Sequence, residues 1–233
     1  LDNTPRGDQL RILLHRMERA AERRPQRIAA SATIDDPEGL AGRYLVRAAV
    51  VTVEGRRPIR VRAFEGDAPL HVARHVDDLA RHGFRKILVF CNRRADVEKV
   101  TRALRESSVF ADRVYPHHGS LSQSVRERTE EQFLVAPAAV AVATMTLEMG
   151  IDIGSVDYVL LVGLPSGVAS LLQRIGRGNR RTGQTLSGYT ARSAGDVLLA
   201  EGMFRAAGGG RLLDRPYAFR PGVVVQQALV LAA

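Results

Sequence analysis

The sequence predicts an α/β fold in which helices cover both faces of a parallel β-sheet. Three observations lead there. From Leu70 to Ala207, short apolar runs alternate with amphipathic stretches over short connections, the pattern of repeated strand–helix crossovers. The runs Lys86–Phe90, Ala138–Ala143 and Val156–Val162 are almost unbroken in apolar residues, as strands buried on both sides require. The third is the stretch Leu171–Arg181, LLQRIGRGNRR, where Val168, Leu171, Leu172 and Ile175 recur at helical spacing. On the opposite face of that helix, if it runs on past Gly176 and Gly178, Gln173, Arg177 and Arg180 fall together.

Composition agrees with a folded chain. Of the 233 residues, 45% are hydrophobic and 25% charged, enough for a core and unlike a disordered polymer. No apolar run approaches a membrane span, so no membrane partner is expected. The start Leu1-Asp2-Asn3 has no signal segment and no Met, which reads as a processed product or a piece of a longer chain. One cysteine, Cys91, excludes an intrachain disulfide. The formal net charge of +9 rests on arginine, since only Lys86 and Lys99 are lysines, and such a surplus favours a polyanionic partner.

In order along the chain, Thr4–Arg24 reads as a helix on Leu10, Leu13, Leu14, Met17 and Ala21, stopped by Pro25. Arg27–Ala32 reads as a short strand, and Asp35-Asp36-Pro37 as the cap of a helix over Glu38–Tyr44. Val46–Val53 and Pro58–Phe64 flank Glu54-Gly55-Arg56-Arg57, a hairpin or an extended linker and the candidate domain boundary. The alternating region follows: helix Leu70–His82, strand Lys86–Phe90, helix Arg93–Glu106, strand Arg113–Pro116, and helix Ser122–Leu134 with Ser124 and Glu127 as a capping pair. Strands Ala138–Ala143 and Val156–Val162, helix Pro165–Arg177, strand Thr185–Thr190 and helix Ala194–Ala207 complete it. Gly208-Gly209-Gly210 breaks the pattern, and Pro221–Ala233 is apolar again.

In an open parallel sheet, ligands gather at the carboxyl ends of the strands. Three segments sit there: Asn92-Arg93, His117-His118-Gly119-Ser120, and Thr144–Ile153 with Thr144, Thr146, Gly150 and Asp152. A glycine and a hydroxyl ahead of a helix can hold phosphate through backbone N–H groups, although the same pair is common turn chemistry. His71, His75, Asp78 and His82 share a helical stripe at metal-ligand spacing, but Val72, Val76 and Leu79 already account for that helix and no metal is assigned.

Taken together, SAT at 31–33, ILVFCN at 87–92, HHGSLSQSVRER at 117–128, VATMTLEMGIDI at 142–153 and QRIGRGNRR at 173–181 resemble motifs III, IV, IVa, V and VI of superfamily 2 helicases, in order and spacing. The HHGSLS segment, the T-L-E-x-G-I-D-I form and a glutamine opening the last motif are most similar to the large helicase-related, or Lhr-type, group of these DEAD/DEAH-box relatives. The resemblance implies a RecA-like helicase C-terminal domain in a motor that hydrolyses ATP, held with Mg²⁺, and moves along single-stranded or duplex nucleic acid. DNA is favoured, and a setting in DNA repair in the bacterial cytoplasm is implied. By position, Arg177 and Arg180 look like catalytic arginine fingers, and Gln173, Gly150, Asp152, Ser31 and Thr33 like nucleotide-binding or coupling residues. Asn92, Arg93, Gly119, Ser120, Thr144 and Thr146 look like strand contacts.

The departure is as informative. Neither lysine follows a glycine, so there is no Gly-Lys-Ser/Thr loop to grip phosphate, and there is no Asp-Glu dipeptide for Mg²⁺. By resemblance, residues 1–45 are the end of a first motor domain, 46–65 a linker or hairpin, 66–207 the second motor domain, and 208–233 a tail leading towards a winged-helix domain. ATP and Mg²⁺ are then held mainly by the absent first half, and the chain is expected not to turn over ATP alone. Lacking most of its sheet, the 1–45 segment is expected to be loosely docked. The alternative is a non-catalytic RecA-like module that binds nucleic acid or regulates a motor. A dinucleotide-binding Rossmann domain is excluded, because no strand leads into a G-x-G-x-x-G turn.

Overall fold

The computed structural model describes residues 4–21, 25–31, 34, 36–45, 47–52, 57–145, 155–179, 183–212, 218 and 220–232. They divide into two units, residues 1–54 with 213–233, and residues 55–212.

The larger unit is a six-stranded sheet, all parallel: β1 (Ile59–Glu65), β2 (Lys86–Cys91), β3 (Val114–His117), β4 (Ala139–Ala143), β5 (Tyr158–Val162) and β6 (Thr185–Ala191), in the order β1-β6-β5-β2-β4-β3. Period-two alternation sorts the core. On β2, Leu88 and Phe90 face one layer, with Phe133, Leu171, Ile175, Met203 and Phe204. Ile87, Val89 and Cys91 face the other, with Val72, Val76, Val97, Val100 and Leu104. Helices α3 (Pro69–Arg81) and α4 (Arg94–Ser107) therefore cover one side, and α5 (Gln123–Val135), α6 (Val168–Ile175) and α7 (Ala194–Gly208) the other. The predicted parallel sheet with helices on both faces, RecA-like in form, is the fold observed.

Three local features of this unit differ from the reading above. Pro58–Phe64 is no hairpin arm or linker: Ile59–Glu65 is an edge strand, paired along its length with β6. Only Phe64 of β1 is buried, so its alternation Ile-Arg-Val-Arg lacks the buried run that marks the inner strands. The cap of α5 is Ser122, whose side chain accepts from the Val125 amide, and not Ser124 with Glu127. Helix α6 ends at Ile175, two residues short of Arg177.

In the smaller unit, α1 (Pro5–Ala20) starts on Thr4, which accepts from the Gly7 amide, and α2 (Pro37–Tyr44) on Asp36, which accepts from the Gly39 amide at 2.8 Å. The apolar tail is a helix, α8 (Pro221–Ala232), joined to α1 by Arg220 on Asp8 at 3.1 Å and Gln9 on Gln226 at 3.1 Å. The expected strand at 27–32 is absent from the described residues 27–31, which carry no regular structure. Arg27 holds that segment in place, donating to the Tyr44 carbonyl at 2.8 Å and pairing with Glu18 at 2.8 Å.

Candidate functional site

The carboxyl ends of β2, β4 and β3 are neighbours in the sheet, and side chains link the loops that leave them. After β2, exposed Asn92 and Arg93 lead into α4, and Arg94 at its first position donates to Ser120 Oγ across 2.8 Å. After β3, Gly119 and Ser120 are exposed, and Arg126 from α5 donates to the Leu121 carbonyl at 3.1 Å and the Gly119 carbonyl at 3.5 Å. After β4, the Thr144 amide donates to the His117 carbonyl at 3.1 Å. Four of the expected strand contacts, Arg93, Gly119, Ser120 and Thr144, thus lie along one row, with two further arginines that the sequence reading left out. Arg93 turns partly away: its Nε is 2.8 Å from Asp96.

Beneath this row lie two histidines whose partners sequence spacing does not reveal. His117 Nε2 shares a 2.7 Å hydrogen bond with Glu130 of α5, and His118 Nε2 one of 2.6 Å with Glu98 of α4. Both histidines are buried. Burial pushes the His117 pKa below the ordinary histidine value, overriding the hydrogen bond and charge of Glu130, which raise it; Arg126 and His118 lower it further. The pairs fasten the β3–α5 loop to helices on opposite faces of the sheet.

The described part of the last motif, residues 173–179, is shaped differently from the expected helix through Arg177. The Gly176 amide still bonds to the Leu172 carbonyl, but the Arg177 and Gly178 amides reach back only three residues, to Arg174 and Ile175, which tightens the turn. The Asn179 amide then donates to the Val156 carbonyl at 2.6 Å, and Gly178 bridges Val156 beside the sheet. Asn179 takes a left-handed φ of 45°, a conformation asparagine tolerates better than most side chains. This docking draws the chain off the helix axis. Gln173 stays on α6, exposed, while Arg177 lies half-buried beyond its end. Gln173 and Arg177 therefore do not share one helical face. Arg180 lies outside the described residues, as do Thr146, Gly150, Asp152 and Thr33.

Among the described residues of this stretch, the buried cation is Arg174. It donates to Asn92 Oδ1 at 2.9 Å, with its guanidinium carbon 5.5 Å from the Phe90 ring centroid. Asn92 in turn donates to the Leu164 carbonyl at 2.9 Å. Its amide thus serves as a clasp inside the domain, a role absent from its reading as a strand contact. The signal for Arg174 was in the spacing: three residues after Leu171 and one before Ile175, it lies on the stripe that packs on the sheet.

Cys91 is fully buried, and burial, then the charge of Asp96, push its thiol up to about 12 against a smaller opposing effect of Arg174, so it offers no nucleophile. The histidine stripe on α3 is engaged otherwise: His75 donates to the Glu65 carbonyl at 2.9 Å, His82 to the Asp78 carbonyl at 2.7 Å, and Asp78 pairs with Arg62 at 2.9 Å. In the smaller unit, exposed Ser31 borders a hollow of about 590 Å³ lined by Leu10, Leu14, Ile28, Leu40 and Tyr44. Among the described residues, no helix is long and apolar enough to cross a membrane.

Comparison with known proteins joins these observations. Residues 71–182 match the family described as the helicase conserved C-terminal domain. The ATP-dependent helicase Lhr-Core of Methanocaldococcus jannaschii is 40% identical over 94 residues, 40% of this chain and 11% of that protein. The Lhr helicase/uracil glycosylase of Escherichia coli is 32% identical over 189 residues, 68% of this chain and 12% of that one. The chain thus spans only about an eighth of such relatives. The structure of Mycobacterium smegmatis helicase Lhr bound to ssDNA and AMP-PNP superposes on 100% of this chain and 32% of its own, at a TM-score of 0.84 and 26% identity.

Proposed function

Since residues 71–182 form a helicase C-terminal domain of the Lhr type, we propose that this chain is the C-terminal motor portion of an ATP-dependent helicase. It grips a nucleic-acid strand and completes, but does not by itself constitute, an ATPase site. The observation that carries the reading is the hydrogen-bonded row at the carboxyl ends of β2, β4 and β3. Arg94 and Arg126 hold the Gly119-Ser120 loop open to solvent, with Thr144 beside it. Small hydroxyl residues, exposed backbone and fixed guanidiniums are the donors that phosphate oxygens take, and they read no base sequence. DNA is the proposed polymer, supported by the ssDNA in the Mycobacterium smegmatis relative.

Gln173 and Arg177 are the described residues we assign to the nucleotide, with Arg180, Gly150 and Asp152 as further members and Ser31 and Thr33 as coupling residues. An exposed amide and a half-buried arginine past a helix end suit a triphosphate that arrives on its Mg²⁺ from another domain. There, forked cations stabilise charge spread over the transferred phosphoryl oxygens, an effect typically worth about 10³–10⁵ in rate. Without a Gly-Lys-Ser/Thr loop the chain has no grip on the β- and γ-phosphates of its own. The first motor half and a winged-helix domain are the proposed partners, and the cytoplasm the proposed place of work.

The test is a titration of labelled single-stranded DNA followed by fluorescence anisotropy at several salt concentrations. Binding should weaken as salt rises. Arg126→Ala should lower the slope of log K against log salt by about 0.7, the share of one phosphate contact. Binding indifferent to salt would refute the proposed grip. Magnesium-dependent ATP hydrolysis by the pure chain that disappears in Arg177→Ala would refute its dependence on a second domain.

A further inference from the structure

Arg174 is tied in two directions. Its side chain reaches Asn92 at the end of β2, while its carbonyl accepts the Arg177 amide at 3.1 Å. Asn92 also donates to the Leu164 carbonyl, on the segment that enters α6, so both ends of that short helix are attached to one side chain. The approach there is close. Gly163 has a φ of +77°, and a Cβ built on it would stand 3.1 Å from Asn92 Nδ2, so a larger residue would press on the clasp. Two positions along from Asn92, Arg94 bonds to Ser120. A short covalent and hydrogen-bonded route therefore runs from Ser120 through Arg94, Asn92 and Arg174 to Arg177. Arginine suits the middle of it: its planar fork fixes direction as well as distance, which a lysine's single ammonium does not.

We propose that Arg174 is a positioning residue: through its hydrogen bond to Asn92 it passes the strand-bound state of the β2–α4 and β3–α5 loops to the turn that carries Arg177. Arg174, 6% exposed, does this from inside the domain and touches neither ligand. The inference rests on the reading of those loops as strand-contacting. A strand that orders the Arg94–Ser120 pair narrows the positions open to Asn92, and with them the orientation of the end of α6.

The experiment is hydrogen exchange on the full chain, with and without saturating oligothymidylate of about 15 nucleotides. In the parent, the oligonucleotide should slow exchange at residues 176–179 by about threefold or more. In Arg174→Met the oligonucleotide should still bind, but the slowing should vanish. In Arg174→Lys, which keeps one donor for Asn92 Oδ1, part of it should return. Failure of the parent to bind the oligonucleotide overturns the strand-contact reading and this inference with it. Binding without slowing in the parent, or equal slowing in Arg174→Met, overturns this inference alone. So does loss of binding in a folded Arg174→Met, because Arg174 would then belong to the grip. If Arg174→Met loses the protection of β2, Asn92→Ala cuts the same hydrogen bond from the exposed side, and slowing that persists there overturns the proposal.

Discussion

Gly188 stands inside β6, opposite Arg62 of β1 and Leu160 of β5. A Cβ at this position would come within 2.6 Å of Phe64 Cε2, 2.7 Å of the Tyr158 hydroxyl and 3.0 Å of the Arg62 carbonyl. The Tyr158 hydroxyl is itself committed, donating to the Ser187 carbonyl at 2.7 Å in the interior. Gly188→Ala must therefore displace one ring and break or bend the other's hydrogen bond. Overpacking a tight core costs about 1–3 kcal/mol. Leaving a buried donor or acceptor unmatched adds about 1–3 kcal/mol. The lower entropy of alanine in the unfolded chain offsets about 0.4–1 kcal/mol. The net expectation is a loss of about 1–5.6 kcal/mol, a large share of the 5–15 kcal/mol typical of a domain. Urea unfolding followed by far-UV circular dichroism measures it, and the midpoint should fall with little change in slope. Tyr158→Phe supplies the control. If the hydroxyl is what the new methyl displaces, the double variant should lose less than the sum of the two by about 1 kcal/mol. A loss below about 0.5 kcal/mol in Gly188→Ala, or strict additivity with Tyr158→Phe, would refute the reasoning.

Two further outcomes are expected. His117 has a folded pKa below its ordinary value, so above about 6.5 it is neutral in both states and costs nothing. As pH falls from there towards the folded pKa, the unfolded chain takes the proton first and stability drops; the parent should lose more between pH 7 and 5 than His117→Gln, measured by urea midpoints. Equal losses would show that His117 is not the group concerned. In α1, Leu10, Leu13 and Met17 are exposed, whereas β2 is buried on both faces; amides of α1 should exchange faster than those of Ile87–Phe90, and equal protection would contradict this.

Much of the architecture was legible because burial on two sides leaves an unmistakable trace. Lys86–Cys91 and Ala139–Ala143 are apolar at nearly every position since both faces meet helices. Strand β1 escaped because an edge position lets Arg60 and Arg62 interrupt its apolar run, and the neighbouring Glu54-Gly55-Arg56-Arg57 made Pro58–Phe64 read as the arm of a hairpin or part of a linker. Arg27–Ser31 misled in the other direction, since an apolar run says nothing about whether a neighbouring strand exists to pair with it. In the site, the motif residues of β2, β3 and β4 were legible from their places at strand ends. The exit of α6 was not, because the pull of Val156 on Asn179 comes from a segment distant in sequence. The same holds for the two histidine–carboxylate pairs and for Arg174 on Asn92, whose partners only the folded sheet brings together.

The pairing of β1 with β6 also governs how the molecule can be made. Ile59, on the first strand of this sheet in chain order, finds its partner in Thr185, on the last. Every other strand is synthesised before β1 can enter the sheet, so the final closure spans almost the whole domain and belongs to the slow, non-local class of folding events. Until then a seven-residue strand waits with both edges open. Arg60 and Arg62 are suited to that interval, because charged side chains on a bare strand discourage its addition to the wrong sheet. The same two arginines thus suit β1 both to its final place at the sheet edge, where Arg62 pairs with Asp78 at 2.9 Å, and to the wait before β6 is made.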